Sequence, residues 1–113
     1  MMSREFEIRE LLSEIRKILE QHKVKFWSSY FVELESRFNA AYESGNVHDK
    51  QKALDTIKQV YGGMGSFGDV YINAVAGHSI SVEEESNVNK KLRGLRSTLY
   101  KAIMDELMKL KDD

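Results

Sequence analysis

The sequence predicts an all-α fold, an antiparallel four-helix bundle with one additional short helix after a glycine-rich loop. Apolar residues recur at three-to-four spacing through four long stretches, the chain contains no proline, and glycines fall where those stretches end. Proline is the usual interior breaker of helices, so its absence leaves glycine to punctuate the chain.

The first stretch runs from Arg4 to about His22, with Phe6, Ile8, Leu11, Leu12, Ile15, Ile18 and Leu19 on one face. Ser3 is placed to cap it, and Glu5 in its first turn suits the positive end of the helix dipole. After the connection HKVKFW, Ser28 or Ser29 can cap a second helix whose stripe is Tyr30, Phe31, Leu34, Phe38 and Ala41, closed by Gly45. Asn46 and Asp49 form a capping-box-like start for a third helix, with Val47, Ala53, Leu54, Ile57, Val60 and Tyr61 inward and Gly62 as a left-handed stop. Beyond the glycines, Phe67, Val70, Tyr71, Ala74 and Val75 fit a short helix ending at Gly77, although the alternation in DVYINAV also suits a strand. Ser81 and Glu84 make a second capping box. The last helix then runs to about Leu110 on a seam of Val88, Leu92, Leu95, Leu99, Ile103, Leu107 and Leu110. Gly94 within it suggests a close helix crossing.

At 113 residues the chain suits one helical domain, residues 1–113. Its 42% hydrophobic and 31% charged residues predict folding, and 17 basic against 18 acidic side chains give no net field to steer a polyanion. Nucleic acid is therefore not an expected partner. With no cysteine there is no disulfide, thiolate nucleophile or cysteine zinc site. The charged start MMSREFEIRE lacks the apolar segment of a signal peptide, and no stretch reaches the length of a membrane span, so a cytoplasmic location is expected.

The run YGGMGSFGD, Tyr61 to Asp69, contains Gly63, Gly65 and Gly68 in G-x-G-x-x-G spacing. That spacing cradles a pyrophosphate only between a strand and a helix of a βαβ unit, and here it follows a helix. No lysine follows the glycines as a P-loop requires. The architectural reading takes Gly62, Gly63, Gly65 and Ser66 as a structural loop, with Ser66 and Asp69 as an S-x-x-D helix start. Met64, flexible and apolar, either fills a gap in the bundle or stands at a contact surface. His22, His48 and His78 do not follow a glutamate by three, so the Glu-x-x-His pairs of helical metal centres are missing; no metal, cofactor or catalytic residue is expected. Ser66 lacks the setting of a nucleophile elbow.

Arg16 and His22 have an R-x5-H spacing similar to that of HEPN-type ribonucleases, which makes that class the enzyme alternative, with His22 as general base and Arg16 as anion stabiliser. The match covers two residues, on the first helix rather than a late one, and Lys17 replaces the polar residue usual beside the arginine. Between Ser86 and Met104 lie Lys90, Lys91, Arg93, Arg96 and Lys101 and no acid. This is either a solvated face or a docking patch for an acidic protein partner. Phe26 and Trp27 read as core, and as hot-spot candidates if exposed.

Trp27, the run from Tyr61 to Asp69 and the segment NKKLRGLRSTLYKAI together resemble a family of small, uncharacterised bacterial helical proteins with a GGMGS-[FL]-x-D motif. Members usually carry asparagine where this chain has Gly68. That family brings no established activity, but small helical proteins of this type often serve as immunity partners of bacterial toxins. The leading expectation is thus a non-enzymatic protein that binds a toxin domain, with Met64 and Phe67 as apolar contacts and Asp69, Arg93 and Arg96 as charged ones. A helical oligomer or scaffold, including a homodimer, is the third reading.

Overall fold

The computed structural model describes residues 3–62 and 66–112. Four α-helices carry the chain: α1 (Arg4–Gln21), α2 (Lys25–Ser44), α3 (Val47–Gln59) and α4 (Val82–Asp112). Helix α1 packs on α2 and α4, and α3 packs on the same two. At about 1.5 Å per residue the 31-residue α4 is about 46 Å long. It therefore runs the full 47 Å extent of the molecule.

Local chemistry sets most of the helix ends. The Phe6 N–H donates to Ser3 Oγ at 3.2 Å, and the Asp49 N–H donates to Asn46 Oδ1 at 3.0 Å. Gly45 has φ 73°, the left-handed conformation that closes α2 at little cost only for glycine. At the start of α4, the Glu84 carboxylate accepts from both the N–H and the hydroxyl of Ser81, which holds it below the usual carboxylate range.

Helix α2 begins at Lys25, earlier than a Ser28 or Ser29 cap would place it. The turn is made instead by Lys23 at φ 57°, with the Val24 N–H donating to Leu19 O at 2.9 Å. Val24 enters the core, and Ser28 turns its hydroxyl back to the Lys25 carbonyl. Ile8, Leu11, Leu12, Ile15 and Leu19 of α1 meet Phe31, Leu34 and Phe38 of α2, Leu54 and Ile57 of α3, and Leu92, Leu99 and Ile103 of α4 in one continuous core. Phe6, Tyr30 and Val47, expected inward, are exposed.

The short helix expected from Phe67 to Gly77 is a single 3-10 turn, Phe67–Asp69, followed by extended and turning chain. Side chains satisfy the backbone there, which removes the need for helical bonds. Asn73 Oδ1 accepts from the Ala76 N–H at 2.7 Å, and Gly77 at φ 85° closes that turn. The buried Asn89 of α4 accepts from the Ile72 N–H at 2.7 Å and donates to the Ile72 carbonyl at 2.8 Å, as a neighbouring strand would. Gly94 marks no helix crossing: a Cβ placed there meets nothing within 4 Å.

Candidate functional site

The corner between α3 and α4 is built by hydrogen bonds that the glycine pattern does not announce. Gly62 is not left-handed; α3 ends in tightened turns, with Tyr61 N–H on Lys58 O and Gly62 N–H on Gln59 O, both at 3.2 Å. The chain then returns, and the Phe67 N–H donates to Val60 O at 2.9 Å. The Ser66 side chain makes no capping hydrogen bond to the turn that follows it. Gly63, Met64 and Gly65, three of the residues singled out in the sequence, lie outside the described residues, as does the Asp69 side chain.

Phe67 and Arg96, expected as partner contacts, hold the corner together. The Phe67 ring is fully buried, 4.6 Å from the Phe31 ring and 5.4 Å from that of Trp27. It cannot be presented to a partner in this conformation. Arg96 Nη1 donates to the Phe67 carbonyl at 3.2 Å and the Val70 carbonyl at 2.8 Å, and its guanidinium lies 5.6 Å from the Phe67 ring centroid. A charged donor on two carbonyls makes an effective clamp between linker and helix. The Tyr61 hydroxyl donates to Arg96 O at 2.8 Å, and burial pushes that hydroxyl well above its ordinary value.

Outside this clamp the surface is cationic. A shallow groove is lined by Tyr61, Gly68, Arg93, Arg96, Ser97 and Tyr100. Exposed Arg93 stands on its rim, and Lys90, Lys91 and Lys101 are exposed on the same stretch of α4. Among the described residues none of these four has an acidic partner, whereas Arg4, Arg9, Arg16 and Arg37 of α1 and α2 are all ion-paired. These four cations lie within twelve residues of one another on a single helix, in a stretch of α4 that holds no acidic residue.

Arg16 and His22 do not form a shared site. Arg16 is held by Glu35 through Nε at 2.9 Å and by Glu20 through Nη1 at 2.7 Å. His22 is buried; its Nδ1–H donates to Ser79 O at 2.7 Å while the Ser79 N–H donates to His22 O at 2.8 Å. One residue joins α1 to α2, and the other fastens the linker to the end of α1. Among the described residues no group of three or more histidine or acidic side chains is placed to hold a metal ion, and no helix is long and apolar enough to cross a membrane.

Two features escaped the sequence reading. Asn89 and Glu106 are buried on α4, the latter accepting from the Tyr42 hydroxyl at 2.6 Å; both lie at positions of the apolar face, in register with Leu107 and Leu99, but a list of apolar residues passes over them. Phe26 is 69% exposed, beside Trp27 and Tyr30, in a pattern that reads as core.

Fold and site together define a helical protein that presents a cationic stretch of α4 beside the corner between α3 and α4. The chain belongs to the family described as Domain of unknown function (DUF6966), whose model matches residues 20–81. That span holds α2, α3, the glycine-rich corner and the linker, and stops just before α4. No curated protein and no solved structure matches the chain.

Proposed function

We propose that the protein is a non-enzymatic, cytoplasmic binding protein, most concretely an immunity protein that docks on a bacterial toxin domain and occludes it. The observation that carries the reading is the uncompensated basic face of α4, where Lys90, Lys91, Arg93 and Lys101 have no acidic partner among the described residues. Like charges on one helix face repel, a cost that an acidic patch on a partner offsets while steering encounter. Exposed Tyr100, against the Tyr61 ring at 5.1 Å, adds an aromatic contact to that face.

The scaffold is read as an antiparallel four-helix bundle. Arg4 of α1 pairs with Asp105 at 3.6 Å, and the other end of α1 is bonded to Ser79, close to where α4 starts. The three-residue and two-residue connections on either side of α2 favour reversal at each step. Such a frame holds the α4 face rigid, which limits the entropy lost on docking.

Co-purification with the product of a neighbouring toxin gene tests the reading. Nanomolar binding together with protection of cells from that toxin is the expected result. Failure to bind or protect against any adjacent toxin would sink it.

A further inference from the structure

Helix α2 carries a second stripe, on the face turned away from the core. Phe26, Tyr30, Glu33, Arg37 and Ala40 follow one another at spacings of four, three, four and three residues, the seam of a helix that packs on another helix. All five are exposed.

The stripe borders a two-part groove between α2 and α3. One part, about 640 Å³, is walled by Phe26, Tyr30 and Leu34; the other, about 360 Å³, by Ala40, Ala41 and Ala53. Arg37 and Thr56 line both parts and mark the divide. Bulk therefore stands at one end of the face and small residues at the other, with a Glu33–Arg37 ion pair of 2.9 Å between them.

We infer that this face pairs with the same face of a second copy of the chain, α2 against α2 in opposite directions about a two-fold axis beside Glu33. A two-fold contact must be self-complementary, so each feature needs its counterpart the same distance beyond the axis. Phe26 lies seven residues before Glu33 and Ala40 seven after it, so each phenylalanine covers the other copy's alanine depression. Tyr30, three residues before Glu33, and Arg37, four after it, come within one residue of facing each other, an aromatic ring beside a guanidinium. Glu33 of each copy lies near Arg37 of the other. Lys25, which has no acidic partner among the described residues, lines the Phe26 part of the groove, and in the dimer it comes to the other copy's part, where Asp49 stands. The two Glu33 carboxylates meet across the axis, where the Arg37 guanidinium of each copy offsets their repulsion, so the reversal matches shape at the Phe26 and Ala40 ends and charge at the Lys25 and Asp49 ends.

The surface is separate from the basic face of α4, so this dimer and the toxin-binding reading stand or fall independently. Sedimentation velocity of the full chain over a concentration series is expected to show a monomer–dimer equilibrium. Phe26→Glu, with unchanged helicity, is expected to raise the dissociation constant about thirty-fold or more, as loss of a central aromatic anchor does. Glu33→Arg and Arg37→Glu should each weaken the dimer and the double exchange restore it, while Arg93→Glu leaves it intact. Because the chain has no cysteine, Glu33→Cys offers a single thiol; a short bismaleimide should join two copies through it and not through Ser97→Cys. A strict monomer up to about 1 mM overturns the inference. So does a dimer that survives Phe26→Glu, or a monomer in which Phe26→Glu abolishes capture of the toxin, since the groove would then belong to that partner.

Discussion

Replacing Phe67 by alanine separates a corner anchor from a partner contact. The ring is fully buried, faces Phe31 and Trp27, and has the Arg96 guanidinium over it. Returning a phenylalanine-sized apolar surface to water costs about 1.5–3 kcal/mol. The cavity left against neighbours that relax only partly raises the total to about 3–5 kcal/mol. A domain of this size has roughly 5–15 kcal/mol of stability, so the variant loses a large share of it. Urea denaturation followed by far-UV circular dichroism should show the midpoint falling by on the order of 2 M. Phe67→Leu, which keeps most of the volume, should lose less than half as much. A loss below about 1 kcal/mol for Phe67→Ala would refute the burial argument and return Phe67 to the surface.

Other substitutions test single joints of the structure. Arg96→Met should cost about 1.5–3 kcal/mol by freeing two linker carbonyls, whereas Arg93→Glu should stay within about 0.5 kcal/mol of the parent in the same denaturation assay. Gly94→Ala should raise the melting temperature, because a solvated mid-helix glycine costs roughly 1 kcal/mol against alanine and a Cβ there meets nothing within 4 Å. Gly45→Ala should lower it by a comparable free energy, since φ 73° disfavours any Cβ. Burial raises the hydroxyls of both Tyr42 and Tyr61, so the folded chain holds those protons where the unfolded chain has released them. Their contribution is complete below a pH of about 10 and is lost as pH rises beyond it; the alkaline fall in denaturation midpoint should be shallower in Tyr42→Phe and Tyr61→Phe.

Where local chemistry decides the structure, the sequence reads well. Ser3, Gly45 and Asn46 bound helices through their own side chain or φ, and Leu92, Leu99 and Ile103 fall inside because their spacing leaves them no other side. The linker reads poorly for the opposite reason. Val70, Tyr71 and Ala74 carry a helical spacing, yet the backbone near them is satisfied by Asn89, distant in sequence and contributed by another helix. No window along the chain contains that pairing. The same limit applies to Arg93 and Arg96, three residues apart on one basic stretch. Only packing distinguishes them: Arg96 is turned onto the Phe67 and Val70 carbonyls, and Arg93 is left at the surface. Phe26 misled in its own way, as an aromatic at a helix junction whose outward direction depends on α2 starting at Lys25.

The central claim is that the basic face of α4 is the docking surface for an acidic patch of a protein partner. Its most direct measurement is the affinity of the toxin partner for the Arg93→Glu, Lys101→Glu double variant, by calorimetry at two salt concentrations with helicity held as a control. The account predicts at least about a ten-fold loss of affinity and a flatter salt dependence than the parent shows. An affinity and salt dependence equal to the parent's would contradict it.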